Sequence, residues 1–349
     1  MFSRKPYVSL EDPDERMLAD SDPRAFLNKY KNGAVIDEAQ RVPELFSYLQ
    51  GILDEAGKDG FFILTGSNNF LLQQSISQTL AGRIGYIDLL PLSYKEILKF
   101  GKVEYTTEEL ILQGCYPELY DKKRKSGLWY PAYICTYIER DVKQIRNIDN
   151  TLLFHRFLQL CAGRTGQQLN VSALSNECGI DVKTVQAWLS LLQNSYIIYL
   201  LPPYHKNFNK RIVKTPKLYF IDTGVACSLL GLHQANELRN SHFRGALFEN
   251  YVILEFLKAK YDTGLTSGFY CWRENNGLEI DLLVESGRKL IPVEIKSAHT
   301  FNESHVKNIV RWNKLTGNAG GVLLYDGESE MVRSDKIVVR NWRNYGGEG

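Results

Sequence analysis

The residues in this sequence best suited to chemistry are carboxylates at the ends and along the faces of apolar strands. In the first set, Gly33-Ala34-Val35-Ile36 runs straight into Asp37-Glu38. A buried strand that stops there presents one carboxylate able to hold Mg²⁺, usually through water, and a second able to polarise an attacking water. Two acids at a strand end also serve to cap the next helix, so both uses stand open on these residues alone. After the next apolar strand comes Thr65-Gly66-Ser67-Asn68, where Ser67 or Asn68 can orient the water. Arg83, in Leu80-Ala81-Gly82-Arg83, is placed as an arginine that neutralises developing charge.

The second set is Glu279-Ile280-Asp281 and Glu294-Ile295-Lys296, on strands joined by the turn Glu285-Ser286-Gly287-Arg288. A period of two puts Glu279 and Asp281 on one face of their strand and Glu294 and Lys296 on one face of theirs. Asp281 and Glu294 can then share a divalent ion, Lys296 can steady negative charge, and Glu249 on the preceding helix adds a third acid. The competing use is an ion-paired hairpin or a binding fold without catalysis. Asp222, Glu274 and Glu285 read as surface or capping groups.

A third set is basic and polar. Asp181 is an N-cap for a helix to about Asn194 that carries Lys183, Thr184, Gln186 and Gln193. Lys206, Lys210, Arg211 and Lys214 lie in a loop between two strands. Helix, turn, helix and basic wing suit contact with DNA phosphates and limited base reading; such units also mediate protein contacts. Net charge is only +2, so a nucleic-acid partner rests on these local groups.

The elements that must hold these residues divide the 349-residue chain into regions. Residues 1–100 alternate short apolar strands (Tyr7 to Leu10, Ala34 to Ile36, Phe61 to Thr65, Ile84 to Leu89) with helices, the pattern of a parallel sheet covered on both faces. Residues 101–150 predict a helical lid or bridge, and 151–235 a winged helix-turn-helix. Residues 236–349 predict a compact α/β domain: a helix from Gly245 to Lys260, three strands, a helix from about Glu303, and a strand at Gly321 to Tyr325. Six cysteines without a C-x-x-C pair or nearby histidines argue against zinc and against a disulfide framework. The N-terminus has no apolar targeting segment and no apolar run is long enough to span a bilayer, so the expectation is a cytoplasmic protein without a membrane partner. Homo-oligomerisation stays open.

Several of these motifs, together with others, carry a resemblance over nearly the whole chain. Tyr7-Val8-Ser9-Leu10-Glu11-Asp12-Pro13, Ile36-Asp37-Glu38-Ala39-Gln40-Arg41-Val42-Pro43, Leu64-Thr65-Gly66-Ser67-Asn68, Leu80-Ala81-Gly82-Arg83, Pro91-Leu92-Ser93, Gly114-Cys115-Tyr116-Pro117 and Tyr137-Ile138-Glu139-Arg140-Asp141 resemble bacterial and archaeal AAA-type ATPases joined to a C-terminal domain of unknown function. The resemblance implies that Asp37 is the Walker B metal residue, Glu38 the catalytic base, Ser67 or Asn68 the sensor and Arg83 a phosphate-sensing arginine, with ATP and Mg²⁺ bound. The C-terminal domain is similar to PD-(D/E)XK nucleases, which implies Mg²⁺ or Mn²⁺ at Glu249, Asp281 and Glu294 with Lys296 beside it. One departure is plain: no G-x-x-x-x-G-K-[ST] occurs in the sequence. In that family the first strand and phosphate loop precede the residues matching Tyr7. The resemblance therefore implies an N-terminally truncated P-loop NTPase sheet that does not bind ATP by itself. Three functions follow as expectations: a truncated AAA-type ATPase coupled to a DNA-associated nuclease-like domain, a non-enzymatic DNA- or protein-binding module, or a stand-alone metal-dependent nuclease.

Overall fold

Apolar triplets and proline-led helix starts set the local structure of the first 66 residues. A computed structural model describes residues 5–66, 80, 82–101, 104–142, 150–204, 215–263, 268–274 and 277–345. The chain divides into two compact units, Met1–Ile87 and Asp88–Gly349. In the first, Asp12 accepts from the Asp14 amide at 2.8 Å and caps α1, Pro13–Ser21, with Pro13 in the first turn. Asp22 caps α2, Pro23–Asn28, in the same way. Strands β1 (Tyr7–Ser9), β2 (Val35–Asp37) and β3 (Ile63–Leu64) form a parallel sheet in the order β1-β2-β3. Helix α3, Glu44–Ala56, ends at Gly57 in the left-handed region, the usual glycine stop. Val8, Leu10, Phe26, Ile36, Phe46 and Leu49 form the core of this unit.

One expected element is absent. Ile84–Leu89 is not a strand: it joins no sheet among the described residues and leaves Ile87 and Leu89 exposed. Gly85 interrupts its apolar pattern, and the Asp88 carboxylate is taken by the Tyr196 hydroxyl.

The second unit opens with α4 (Tyr94–Ile97), α5 (Thr107–Gln113), α6 (Pro117–Asp121) and α7 (Ser126–Tyr133), and α7 continues as a π-helix over Ile134–Val142. Next come α8 (Thr151–Ala162), α9 (Val171–Cys178) and α10 (Val182–Asn194), followed by the antiparallel pair β4 (Ile198–Leu201) and β5 (Lys217–Phe220). Trp188 of α10 is buried edge-on against Phe154 and Phe157, each 5.2 Å away, which fixes α10 on α8. Helices α11 (Thr223–Leu229), α12 (Ala235–Asn240) and α13 (Arg244–Thr263) lead into a mixed sheet. Its strands are β6 (Phe269–Arg273), β7 (Glu279–Ser286), β8 (Lys289–Lys296), β9 (Gly321–Tyr325), β10 (Met331–Val332) and β11 (Ile337–Asn341), in the order β10-β11-β9-β8-β7-β6. β8 pairs with β9 in parallel, and α14 (Lys307–Thr316) precedes β9. The last two strands were not expected from the sequence. Among the described residues no helix is long and apolar enough to cross a membrane.

A buried amide joins the hairpin to this sheet's helix. Asn250 of α13 accepts from the Phe220 amide and donates to the Phe220 carbonyl, both at 2.8 Å. Removing it strands two buried backbone groups, each costing about 1–3 kcal/mol. Asn250→Ala is therefore expected to destabilise the protein by about 2–4 kcal/mol in denaturant melts; a loss below about 0.5 kcal/mol, the size of an ordinary surface substitution, would contradict the role given to this clamp.

Candidate functional site

Register along the three-stranded sheet delivers the first set of acids. Ser9 of β1 lies directly beside Asp37, the last residue of the central strand β2. Asp37 Oδ2 accepts from the Tyr7 hydroxyl at 2.8 Å and from Ser9 Oγ at 3.3 Å, and Oδ1 accepts from Thr65 Oγ1. Burial acts to raise the carboxyl, but the donors Thr65, Tyr7 and Ser9 and the Glu38 amide prevail and hold it below the usual range. Asp37 is thus ionised at neutral pH. Glu38 adopts φ 55° and ψ 38°, a left-handed conformation that a non-glycine residue rarely takes. Its carboxylate accepts from Gln40 Nε2 at 2.6 Å. The other amide atom, Gln40 Oε1, is buried and no donor among the described residues reaches it. A Cβ at Gly66 would stand 2.2 Å from that oxygen, so a side chain there would displace the Gln40 amide.

Arg83 is held by Asp54 of α3, at 2.5 Å and 3.1 Å, in an exposed two-pronged ion pair. Ser67 and Asn68 lie outside the described residues. Tyr7, Ser9 and Gln40 were missed by sequence reasoning: only strand register brings Tyr7 and Ser9 to Asp37, and only the turn after β2 brings the Gln40 amide onto Glu38.

On α10, Lys183 and Gln186 are exposed. Thr184 serves the helix start: its amide and hydroxyl both donate to Asp181, at 3.0 Å and 2.5 Å. Lys206, Lys210, Arg211 and Lys214 lie outside the described residues.

The antiparallel pairing of β7 with β8 brings the second set together. The Asp281 carboxylate accepts from the Ile295 amide at 2.9 Å and from Lys296 Nζ at 3.1 Å. Lys296 Nζ also lies 2.7 Å from Glu294 Oε2, an ion-pair distance, although neither Glu294 oxygen is met along a hydrogen-bonding direction. The proximity, not the orientation, sets their electrostatics. Glu249 of α13 completes the expected group, and with it comes a residue that the sequence did not flag. Lys217, the first residue of β5, is 3% exposed, and its Nζ lies 3.0 Å from Glu249, 2.6 Å from Glu279 and 3.7 Å from Asp281. Tyr219, on the same face of β5, donates to Glu249 at 2.5 Å.

Burial raises Glu249, opposed by Lys217 and reinforced by Asp281. Burial and the Asp281 charge push Glu294 up to about 8 against the pull of Lys296. For Asp281 burial also acts upward, yet Lys296 and Lys217 outweigh it and the carboxyl lies below its usual range. Burial opposes charge on Lys217, but Glu249, Tyr219, Asp281 and Glu279 keep it well above the usual lysine value. The fit to a divalent ion is poor. Among the described residues no three acid, histidine or cysteine groups have metal-holding geometry, and an ammonium contacts the acids that would have bridged an ion.

A cavity of about 450 Å³ in the second unit is lined by Thr107, Glu108, Arg239, His299, Asp326 and Arg343, among others. Its buried Asp326 accepts from Thr107 at 2.5 Å and Trp342 at 3.0 Å and pairs with Arg244 at 3.4 Å, a closed network with no counterpart in the sequence reading.

Comparison with known families divides the chain into three matched regions. Residues 2–98 match an AAA domain. Asp37, Glu38 and Arg83 all lie within the AAA-domain match. Residues 104–236 match a domain of unknown function (DUF8612), and residues 244–345 a second one (DUF4143). The chain is similar to an uncharacterized protein of Mycobacterium tuberculosis, 28% identical over 321 residues, 91% of this chain and 70% of the relative. An uncharacterized protein of Haemophilus influenzae is 24% identical over 307 residues, 80% of this chain and 70% of the relative. One from the archaeon Methanocaldococcus jannaschii is 26% identical over 300 residues, 78% of this chain and 63% of the relative. No solved structure matches the chain. Lys217 falls in the first domain of unknown function and its carboxylate partners in the second.

The carboxyl of Glu294 generates a pH prediction. Its folded value of about 8 exceeds its unfolded value near 4.5, so the folded state binds the extra proton between them. The stability it contributes is full below about pH 4.5 and is lost as pH rises through about 8. Glu294→Gln keeps the shape without the charge, so the fall in Tm from mildly acidic to alkaline buffer should flatten in this variant; an unchanged fall would contradict the assignment.

Proposed function

We propose that the N-terminal unit carries the metal-and-water half of an AAA-type ATP site, and that the C-terminal half is a DNA-binding module and not a nuclease. The observation that carries the first part is Asp37, ionised at the end of the central strand and held by Tyr7, Ser9 and Thr65. When bound, Mg²⁺ would neutralise phosphate charge there, with Asp37 and the neighbouring hydroxyls as its outer holders. Glu38 is held by Gln40, whose carbonyl oxygen beside it can accept a hydrogen bond from a water. These residues hold and orient a water; Glu38 takes its proton. Arg83 and the sequence around Ser67 and Asn68 would complete the phosphate surroundings.

The second part is supported by exposed Lys183 and Gln186 on α10, with Lys210, Arg211 and Lys214 supplying positive charge in sequence after it. Against cleavage stands the lysine among the acids.

The 349 residues hold no phosphate loop, and titration with a fluorescent ATP analogue is expected to show no saturable binding. Placing such a loop and its strand ahead of Tyr7 should give Mg²⁺-dependent turnover that Glu38→Gln lowers by at least about 10²-fold while binding persists. Retained turnover in that variant removes Glu38 as the base. For the C-terminal half, duplex DNA binding followed by anisotropy should weaken in Lys183→Ala, with the salt slope reduced by about one. Cutting of DNA in Mn²⁺ that Asp281→Asn abolishes would reverse the second part.

A further inference from the structure

Four carboxylates from three elements crowd one buried volume: Glu249 on α13, Glu279 and Asp281 on β7, and Glu294 on β8. Their repulsion demands positive charge. Lys296 lies beside Asp281 and Glu294. The other side of the group, Glu249 and Glu279, is met by Lys217 from the hairpin at 3.0 Å and 2.6 Å. Glu294 is 1% exposed, and the Lys296 ammonium, 2.7 Å from its Oε2, is the cation that faces it. Lys217 is 3% exposed and is fixed by its strand: the β5 backbone is bonded to Gly166 and Gln167, and Tyr219 is anchored on Glu249.

We propose that the Lys217 ammonium is the resident cation of this acid cluster and closes it to divalent metal. This inference rests on reading the C-terminal half as a binding module, and it assigns the reason why that half does not cut. A single ammonium with three hydrogens satisfies oxygens on α13 and β7 at once, the bridging role that a divalent ion would otherwise play there. The charge is delivered by the hairpin in place of solution metal, so the cluster ties β5 to α13 and β7 at any metal concentration. An uncharged residue of similar length at position 217 leaves the acids without this cation and opens them to one from solution.

Calorimetric titration with Mn²⁺, together with melting in Mn²⁺, tests this on the full chain. The wild type should show neither Asp281-dependent saturable binding nor an Asp281-dependent rise in Tm. Lys217→Met should gain both, and adding Asp281→Asn should remove them. If Lys217→Met does not fold in metal-free buffer, Mn²⁺ is expected to restore it. Asp281-dependent Mn²⁺ binding by the wild type overturns the proposal. So does a folded Lys217→Met that binds no Mn²⁺, or an unfolded one that Mn²⁺ does not rescue. DNA binding is scored separately by anisotropy, so loss of the binding-module reading and loss of this one give different results.

Discussion

A buried ammonium cannot stand alone, and Lys217 shows what that constraint does to a fold. Removing one charge of a buried group typically costs about 3–5 kcal/mol, because the partners are left uncompensated in a medium that solvates them poorly. Lys217 therefore has to reach Glu249 and Glu279, and the hairpin that carries it has to lie against α13 and the end of β7. Asn250, one residue after Glu249, clamps the same hairpin through both polar atoms of Phe220. Charge pairing and backbone pairing thus impose one placement. The apolar core continues through the contact, with Leu218, Phe220, Tyr251 and Leu282 in the same buried cluster.

The two acidic sets share a residue type and differ in environment, which separates their chemistry. At Asp37 the partners are hydroxyls and an amide, donors that favour the carboxylate without cancelling its charge. Such a group can still attract a hydrated cation. In the C-terminal cluster the partners are ammonium groups, and where they do not suffice a proton does: Glu294 is pushed up to about 8 by burial and by Asp281. One site keeps a usable negative charge and the other spends its charge on internal pairing. The proposed division of roles between the AAA-domain match and the remainder rests on that contrast.

Much of this was legible in the sequence, where local rules decide. The step from Val35-Ile36 to Asp37 ends a strand, Asp22 and Asp181 cap helices, and the period of two brings Asp281, Glu294 and Lys296 together. What escaped depended on contacts distant in sequence. Lys217 lies 32 residues from Glu249 in the chain, and its residue type matches a solvated surface lysine as well as a buried one. Strand register alone puts Ser9 beside Asp37. Ile84–Leu89 carried the apolar content of a strand, but composition does not supply a neighbouring edge to pair with. Met331–Val332 is too short for any periodicity to show.

The dependence of the fold on one internal cation is measured most directly by a double-mutant cycle between Lys217 and Glu249 in denaturant. Lys217→Met and Glu249→Gln should each destabilise, and the double variant should be more stable than their sum predicts by more than about 1 kcal/mol, since the second change removes the charge that the first left unpaired. Additive losses, with coupling within about 0.3–0.5 kcal/mol of zero, would show that the ammonium does not compensate the buried acid.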